Sequence, residues 1–364
     1  MNPLEGHLRA RIARQGPLSV EQFMEDALGH PEFGYYMTRD PFGGHGDFTT
    51  APEVSQIFGE LIGAWLASVW QAMGGPSPIQ LIELGPGRGT LMADALRAVC
   101  GVRGLPDAIR VALVETSPVL RRRQEQTLRE SGIGSIDWYN DVSQVPAGTS
   151  LIVANEFFDA LPVRQYVAHR GNWVERRIDT DPNGGGLAFV LDHKPAKPHL
   201  PPPGVSPTRD GDILESSPAG LRCMHTIAAR LAEFGGAGLV IDYGHATTAV
   251  GDTLQAVRGH RYARVLDAPG EQDLTVHVDF AQLARVAMEA GATVHGPVSQ
   301  AAFLSRLGID IRLQRLLANA RDDDAAAGLV AGARRLIDAK QMGELFKVMA
   351  VAGPGVGEPA GFAG

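Results

Sequence analysis

The sequence predicts an α/β protein built on a doubly wound, mostly parallel sheet, and three observations lead to this prediction. Apolar runs at Ile79–Leu84, Ile109–Val114 and Ser150–Asn155 have the length and composition of buried strands. Helical patterns separate these runs, and such alternation is typical of parallel strands joined by crossover helices. A glycine-rich turn, GPGRG at 85–89, joins the first run to the start of a helix. The fold class is therefore Rossmann-like.

A helical segment, residues 1–75, precedes the sheet. Helical patterns cover 3–15 and 19–28. Ser19 and Gln22 have the spacing of a capping box, which marks the start of the second helix.

The loop GDFTTAPE, residues 46–53, lies before the last helix of this segment. Thr50 and Glu53 again have capping-box spacing, which gives them a structural interpretation. Asp47 and Phe48 have no such interpretation, so we favour both as site residues, with Asp47 as a candidate catalytic residue.

The sheet region is predicted to occupy residues 76–163 and 216–352. Its further predicted elements are a helix over 90–100, a helix opened by Ser117 and Pro118, strand 136–139, helix 217–234, strand 238–242 and strand 345–351.

The alternation of strands and helices breaks within residues 164–215. Residues 163–193 read as antiparallel strands joined by Gly/Asn turns, and a proline-rich connector follows at 195–207. We interpret 164–215 as an inserted cap over the ligand edge of the sheet. The Gly/Pro-rich residues 353–364 are predicted to form a flexible tail.

Composition excludes several classes of protein. The 364 residues are 44% hydrophobic and 20% charged, as in a soluble protein with a large core. The sequence contains no run of 18 apolar residues, so no membrane insertion is expected. The net charge of −8 argues against a nucleic-acid surface. The N-terminus lacks a secretory signal, and we expect a cytoplasmic protein in a bacterium, or a mitochondrial matrix protein in a eukaryote.

Two cysteines, Cys100 and Cys223, lie among helical apolar residues and read as reduced core thiols. The histidines, cysteines and acidic residues lack the spacing of metal ligands, so no metal site is predicted.

The glycine turn is the first candidate binding site, because ligands of doubly wound sheets lie beyond the carboxyl ends of the strands. Gly85, Gly87 and Gly89 alternate around Pro86, whereas a dinucleotide turn has its third glycine one residue later. Glu83 stands at the strand end, where a carboxylate suits a ligand with an ammonium group better than a pyrophosphate. S-adenosylmethionine has such an ammonium group and no phosphate, and it is the predicted cofactor.

The next strand ends in Glu115, which can accept hydrogen bonds from both ribose hydroxyls of a nucleoside. NAD sites have an acidic residue at the same place, so an NAD-dependent oxidoreductase stays a rival. Glu115 could also flank the helix that opens at Ser117. Thr90, at the start of the helix after the glycine turn, and Asn155, at the end of the third strand, complete the candidate cofactor contacts.

Two carboxylates follow the third strand in ANEFFDALP, residues 154–162. Glu156 and Asp159 could hold a guanidinium group and direct a nitrogen lone pair at the methyl group, and both are candidate catalytic residues. They could instead be favoured at the N-terminus of a helix by its dipole, and for Asp159 the two interpretations carry equal weight.

His277 is the last candidate catalytic residue, as a proton acceptor. A partly buried structural histidine is the alternative. Asp279, two residues on, is predicted to cap a helix.

These residues resemble the MidA family, also called DUF185, of methyltransferases of the mitochondrial complex I assembly-factor type. The resemblance extends over most of the chain and lies in GDFTTAPEVSQIFGE (46–60), LIELGPGRGTLMADALR (81–97), LVETSPVLRRRQ (113–124), ANEFFDALPVRQ (154–165), LVIDYGH (239–245), GDTLQAVRGHRY (251–262), DLTVHVDF (273–280) and MGELFKVM (342–349).

The resemblance implies a class I methyltransferase sheet with an added cap, and S-adenosylmethionine bound by Gly85, Gly87 and Glu115. It also implies a protein substrate, since the mitochondrial members resemble arginine methyltransferases that act on a subunit of respiratory complex I and produce symmetric dimethylarginine. Two alternatives stay open: a methyltransferase for a small molecule, and a non-catalytic assembly chaperone that retains the fold. The sequence does not give the oligomeric state.

Overall fold

A computed structural model describes residues 2–40, 49–195, 205–206 and 209–363. The chain forms two compact units. The first, here called the insertion unit, comprises Met1–Phe48, Asp159–Arg222 and Thr247–Leu283. The second, here called the sheet unit, comprises Thr49–Phe158, Cys223–Ala246 and Ala284–Gly364.

The helices are α1 (Pro3–Gln15), α2 (Val20–Gly29), α3 (Tyr35–Thr38), α4 (Ala51–Val54), α5 (Gln56–Ala72), α6 (Thr90–Cys100), α7 (Leu105–Ala108), α8 (Pro118–Leu128), α9 (Pro218–Phe234), α10 (Phe280–Glu289), α11 (Gln300–Arg306), α12 (Ile309–Leu317), α13 (Asp323–Ile337) and α14 (Met342–Leu345).

The strands are β1 (Leu18–Ser19), β2 (Ile79–Leu84), β3 (Ile109–Val114), β4 (Ile136–Tyr139), β5 (Ser150–Asn155), β6 (Arg164–His169), β7 (Asn172–Thr180), β8 (Leu187–Pro195), β9 (Ile213–Ser216), β10 (Gly236–His245), β11 (Gln255–Arg258), β12 (Arg261–Ala263), β13 (Asp273–Thr275), β14 (Val278–Asp279), β15 (Thr293–Ser299) and β16 (Phe346–Ala352).

The sheet unit has the strand order β15-β16-β10-β5-β2-β3-β4. Strands β10, β5, β2, β3 and β4 are parallel, and β15 and β16 are antiparallel additions at one edge. The chain passes from β2 outwards to β4 and then returns to β5 on the other side of β2. The strand order therefore reverses between β2 and β5, which is where doubly wound sheets bind their ligands.

The predicted α/β fold is confirmed, and the bounds of β2, α6, β3, β4 and β5 agree with the sequence patterns. Strand β15 was missed, because its residues are only half-buried and its apolar pattern is weak. Strand β10 begins at Gly236, whereas the sequence pattern placed its start at residue 238.

The capping box predicted for Thr50 and Glu53 is wrong. Thr50 precedes α4 but its side chain makes no capping hydrogen bond. Ser55 interrupts the helical run with an extended backbone, and its Oγ accepts the Ile57 N–H at 3.3 Å to begin α5. Glu53 is therefore available for a contact elsewhere.

The C-terminal residues differ from the expected flexible tail. The indole N–H of Trp65 donates to the Ala360 carbonyl at 3.0 Å, and Phe362 is buried against Phe303. This hydrogen bond and this ring contact hold in place residues for which the Gly/Pro-rich composition predicts a flexible tail.

The core of the sheet unit joins the helices α5 and α6 to the sheet, and its largest buried side chain is that of Trp65. The two helices pack closely because Gly59 and Gly63 of α5 face Asp94 and Ala95 of α6. A Cβ atom at Gly63 would lie 2.4 Å from the Ala95 carbonyl oxygen.

The insertion unit contains an antiparallel sheet of order β1-β7-β6-β9, with β8 paired to β7. The antiparallel strands predicted at 163–193 are thus present. A smaller sheet has the order β12-β11-β13. Helix α2 begins with the predicted capping box of Ser19 and Gln22. The role of 164–215 as a cap stays a prediction.

Over the described residues, no helix combines the length and apolar character needed to cross a membrane.

Candidate cofactor and substrate site

The glycine turn between β2 and α6 has a backbone that favours glycine at alternate positions. Gly85, Gly87 and Gly89 have φ angles of 61°, 53° and 83°. At Gly85 the space is needed by a neighbouring side chain, since a Cβ atom there would lie 2.8 Å from Cδ2 of Phe157. Close approach of the backbone to a ligand is thus not the only reason for this glycine. The buried Pro86 accepts the Gly89 N–H at 2.7 Å and closes the turn.

Glu83, the last acidic residue before this turn, is a buried carboxyl group with an unmet hydrogen-bonding demand. It is 3% exposed, and its Oε2 has no hydrogen-bond partner among the residues that the structure describes. Burial raises the pKa of Glu83 to about 8. A buried carboxylate is costly unless it is paired, and a cationic ligand beside this group would reduce that cost.

Glu115, which directly follows the neighbouring strand β3, accepts hydrogen bonds through both of its carboxylate oxygens. Its Oε1 accepts the Ser117 N–H at 2.8 Å, and its Oε2 accepts from Nε2 of Gln124 at 3.2 Å. Burial raises the pKa of Glu115 while these hydrogen bonds oppose the rise. The predicted contact with the helix that opens at Ser117 is present, and the carboxylate keeps lone pairs for a further donor.

Gln124 connects this carboxylate to the glycine turn and was missed by sequence reasoning. Its fully buried side chain also donates to the Gly87 carbonyl at 2.8 Å and accepts from the Trp138 indole at 2.8 Å. A signal existed: Gln124 stands between Leu120 and Leu128 on the buried stripe of α8, where an apolar residue is the norm.

Thr90 and Glu53 form a second link to the glycine turn. The Thr90 hydroxyl donates to Oε1 of Glu53 at 2.6 Å. Nη1 of Arg88 lies 4.0 Å from Oε2 of the same carboxylate. Glu53 therefore joins α4 to the turn and does not cap α4. The hydroxyl of Thr90, a predicted cofactor contact, is used in this link.

Asn155 ends β5 and Glu156 follows it, directly beside β2, where Leu84 pairs with Ala154. The side-chain oxygen Oδ1 of Asn155 is buried and has no hydrogen-bond partner within the described part of the chain. Glu156 has a φ of +50°, a left-handed conformation that non-glycine residues rarely adopt. Backbone strain of this kind is concentrated at functional sites.

The Glu156 carboxylate has a defined position. Its Oε1 accepts the Ala51 N–H at 2.9 Å and also accepts from Nδ2 of Asn155 at 3.3 Å. Residues 156–162 form turns and no helix, so the alternative interpretation of Glu156 and Asp159 as residues favoured by a helix dipole is wrong.

Asp242, three residues before the end of β10, fixes the turn after β5. Its Oδ2 accepts the Phe158 N–H at 3.0 Å, and its Oδ1 accepts the Tyr243 N–H at 2.9 Å. The side chain is fully buried. The sequence signal for this role was its position at the end of the strand predicted over 238–242, similar to the positions of Glu83 and Glu115.

Asp159 belongs to the insertion unit, whereas Glu156 belongs to the sheet unit. Asp159 is buried, and its carbonyl accepts the Val276 N–H at 3.0 Å. Burial raises the pKa of Tyr36, and the negative charges of Asp273 and Asp159 raise it further. The Tyr36 hydroxyl donates to Oδ1 of Asp273 at 2.8 Å.

His277 is half-buried in the insertion unit, and Thr253 holds its backbone. The His277 N–H donates to the Thr253 hydroxyl at 2.9 Å, and that hydroxyl donates to the Glu215 carboxylate. The cap predicted for Asp279 is confirmed, because its Oδ1 accepts the Gln282 N–H at 3.1 Å. The candidate Asp47, together with Phe48, lies outside the described residues.

A metal centre is not apparent in the part of the chain that the structure describes. No three His, Cys, Asp or Glu side chains in these ranges lie together in an arrangement that could hold an ion.

The doubly wound sheet, the glycine turn at its switch point and the acidic residues that end β2 and β3 define a class I methyltransferase. The chain belongs to the family whose model is described as "Putative S-adenosyl-L-methionine-dependent methyltransferase", which matches residues 61–298. Its cofactor is S-adenosyl-L-methionine, and the unpaired Glu83 carboxyl group fits the ammonium group of that molecule.

Relatives of known name cover almost the whole chain. The protein called "Protein arginine methyltransferase NDUFAF7, mitochondrial" is 38% identical in Danio rerio, over 95% of this chain and 86% of the relative. The Homo sapiens protein of the same name is 39% identical, over 96% of this chain and 83% of the relative.

A solved structure has the same fold. The crystal structure of a Burkholderia thailandensis protein bound to S-adenosyl-homocysteine is 28% identical, with a TM-score of 0.84 over 98% of this chain and 93% of that chain. A native crystal structure from the same organism has a TM-score of 0.83 at 30% identity. The NAD-dependent oxidoreductase considered as a rival is not supported by these matches.

Proposed function

We propose that this methyltransferase modifies an arginine side chain of a protein. The observation that carries the proposal is the Glu156 carboxylate, held in a left-handed backbone conformation at the end of β5, next to the strand that carries Glu83. A carboxylate is the natural partner of a guanidinium group. The names of the relatives, which specify arginine methylation, support the same substrate class.

The cofactor is expected to contact the residues that end β2, β3 and β5. Glu83 would pair with the ammonium group, Glu115 would accept from the ribose hydroxyls, and Asn155 would offer its unpaired Oδ1. The turn residues Gly85, Pro86, Gly87, Gly89 and the backbone of Thr90 would line the same site. Bound S-adenosyl-L-methionine supplies a methyl group already activated on a sulfonium.

Glu156 then has the task of binding and orienting the guanidinium group. Its existing hydrogen bond from the Ala51 N–H fixes Oε1. The carboxylate would also accept from the substrate and direct one nitrogen at the methyl group. Asp159, Asp47 and His277 are proposed as further catalytic residues, with His277 as proton acceptor.

The first candidate substrate is a subunit of respiratory complex I, on the strength of the family resemblance. A cytoplasmic location in a bacterium, or the mitochondrial matrix in a eukaryote, would bring the enzyme to that substrate. Mitochondrial location is part of the names of the eukaryotic relatives.

The test is a methyl-transfer experiment with the variant Glu156→Gln. Purified protein is mixed with methyl-labelled S-adenosylmethionine and an extract of cells that lack the gene, and labelled arginine is measured in protein bands. Glutamine keeps an oxygen for the Ala51 N–H but removes the charge, so we expect at least about 100-fold less label, a loss typical of a lost transition-state interaction. The S-adenosylhomocysteine Kd should stay within about threefold, because Glu156 would not contact the cofactor.

Gly87→Val is the control for cofactor dependence, because valine is strained at a φ of +53°. It should abolish both label and S-adenosylhomocysteine binding. Label that appears only in the low-molecular-weight fraction would support a small-molecule methyltransferase instead. Normal complex I assembly in cells that carry Gly87→Val would support a chaperone role.

A further inference from the structure

A two-stranded hairpin of the insertion unit carries a concentration of positive charge. We call it the basic hairpin: β11 (Gln255–Arg258), β12 (Arg261–Ala263) and the following Arg264. Acidic residues are absent from 253–266, although the whole chain has a net charge of −8. Each residue from 258 to 264 is exposed.

Two features destabilise the tip of the basic hairpin. Arg258 and Arg261 are directly opposite each other in the strand pairing, and like charges at paired positions repel. Gly259 and His260 have φ angles of 56° and 58°, as in a tight two-residue turn, and this conformation is unfavourable for histidine. Cation repulsion and strain at one tip indicate a function other than folding.

The base of the basic hairpin is firmly held. Ala256 is buried, and β11 also pairs with β13, where Ala256 lies opposite Leu274. Arg258 has an ion pair with Glu271 at 2.9 Å. Arg261 and Arg264 have no ion pair within the described ranges of the chain. The charges that remain for a partner are thus those of Arg261 and Arg264.

Tyr262 adds an aromatic surface to these charges. It is 81% exposed, the largest value among the exposed large hydrophobic side chains of the described residues. Tyrosine and arginine are, together with tryptophan, the residue types enriched in the energetic centres of protein–protein interfaces. Pairing of β11 with β13 holds the base of the hairpin that presents both residue types, which lowers the entropy cost of binding.

We propose that the basic hairpin docks an acidic segment of the protein substrate, with Arg261 and Arg264 pairing with its carboxylates and Tyr262 packing on it. The proposal rests on the proposed function, since it names a recognition surface for that protein substrate. Charge complementarity specifies the partner chemistry. The negative net charge of the chain favours a protein over a nucleic acid, because repulsion from phosphates would oppose the latter.

The test uses the full chain with the double variant Arg261→Glu/Arg264→Glu. The binding probe is a fluorescein-labelled polyglutamate peptide, and its binding is measured by anisotropy. A thymidine oligonucleotide of equal length is measured in the same way and represents nucleic acid, the competing class of partner. The matched control is Arg315→Glu/Arg335→Glu, which changes two exposed arginines of α12 and α13 and alters the net charge equally. S-adenosylhomocysteine affinity reports that each variant is folded.

We expect the wild-type protein and the control to bind the peptide and the double variant to bind it at least about tenfold more weakly, with the difference shrinking at high salt. In the methyl-transfer experiment the double variant should have a kcat/KM at least about tenfold lower, mostly through KM. Equal peptide binding by all three proteins would overturn the proposal. So would tighter binding of the oligonucleotide through the same two arginines.

The binding readout separates this proposal from the proposed function. Peptide binding that depends on Arg261 and Arg264, together with no methyl transfer to any protein, would contradict the proposed function and support the docking surface. Methyl transfer to a protein that is unchanged in the double variant, together with unchanged peptide binding, would support the proposed function and contradict the docking surface.

Discussion

Glu83 shows how one buried side chain couples ligand binding to pH. Burial raises its pKa from 4.5 to about 8, so at neutral pH the free protein holds a proton on this carboxyl group. An unfolded chain would have released that proton above its ordinary pKa. The free energy of unfolding contributed by Glu83 therefore decreases as pH rises from 4.5 to about 8.

The first prediction concerns the affinity for S-adenosylhomocysteine, which carries the same ammonium group as the cofactor. Pairing with that group favours the ionised form of Glu83, so binding should release a proton below pH 8. We expect the Kd to fall by up to about tenfold per pH unit as pH rises from about 6 to 8, measured by calorimetry.

Glu83→Gln is the control for this pH dependence. It should weaken binding, remove the pH dependence of the Kd, and raise the free energy of unfolding of the free protein at pH 8 by at least about 1 kcal/mol. A Kd for the wild-type protein that does not change with pH would contradict pairing of Glu83 with the ammonium group.

Among the elements, the pair α5 and α6 supports the site most directly, because α6 begins at the glycine turn. Gly59 and Gly63 lie one turn apart on the face of α5 that meets α6. Their lack of side chains sets the separation of the two helices. A change there should move the N-terminus of α6, including Thr90, relative to β2.

The second prediction concerns Gly63→Ala. Its Cβ atom would lie 2.4 Å from the Ala95 carbonyl oxygen, a backbone atom that cannot rotate away. We expect the free energy of unfolding to fall by about 1–3 kcal/mol, measured by urea denaturation.

Gly328→Ala provides the comparison, because it lies within α13 and a Cβ atom there would meet nothing within 4 Å. It should leave stability unchanged or raise it by up to about 1 kcal/mol. Equal effects of the two substitutions on the free energy of unfolding would show that the contact at Gly63 does not set the separation of α5 and α6.

At the scale of the whole molecule, ligand binding should act locally on a chain of two compact units. S-adenosylhomocysteine at about 100 times its Kd should stabilise the folded protein by about 2.7 kcal/mol. Amide hydrogen exchange should slow at 84–90 and 115–117, the turns that end β2 and β3. The amides of 256–263, in the basic hairpin, should exchange at an unchanged rate.

This exchange pattern tests the cofactor site and the docking surface as separate features. The polyglutamate peptide should produce the converse pattern, with slower exchange at 256–263 and no change at 84–90. Slower exchange at 256–263 with S-adenosylhomocysteine alone would mean that the basic hairpin responds to the cofactor and would count against an independent docking role.

The sequence by itself determined the sheet and the acidic groups at its ligand edge. Apolar runs bounded by glycine and by Glu83 or Glu115 are local patterns, so the strands, the glycine turn and the class of cofactor could be predicted from them. Capping at Ser19 and Asp279 was equally local and was also predicted correctly.

Only the tertiary structure decided which side chains hold that edge in place. The bond of Glu53 to Thr90 spans 37 positions, and that of Glu156 to Ala51 spans 105. Gln124 likewise reaches back 37 positions to Gly87. Such partners are specified by the packing of strands and helices, because a hydrogen bond needs a position accurate to a fraction of an ångström, which sequence spacing cannot supply.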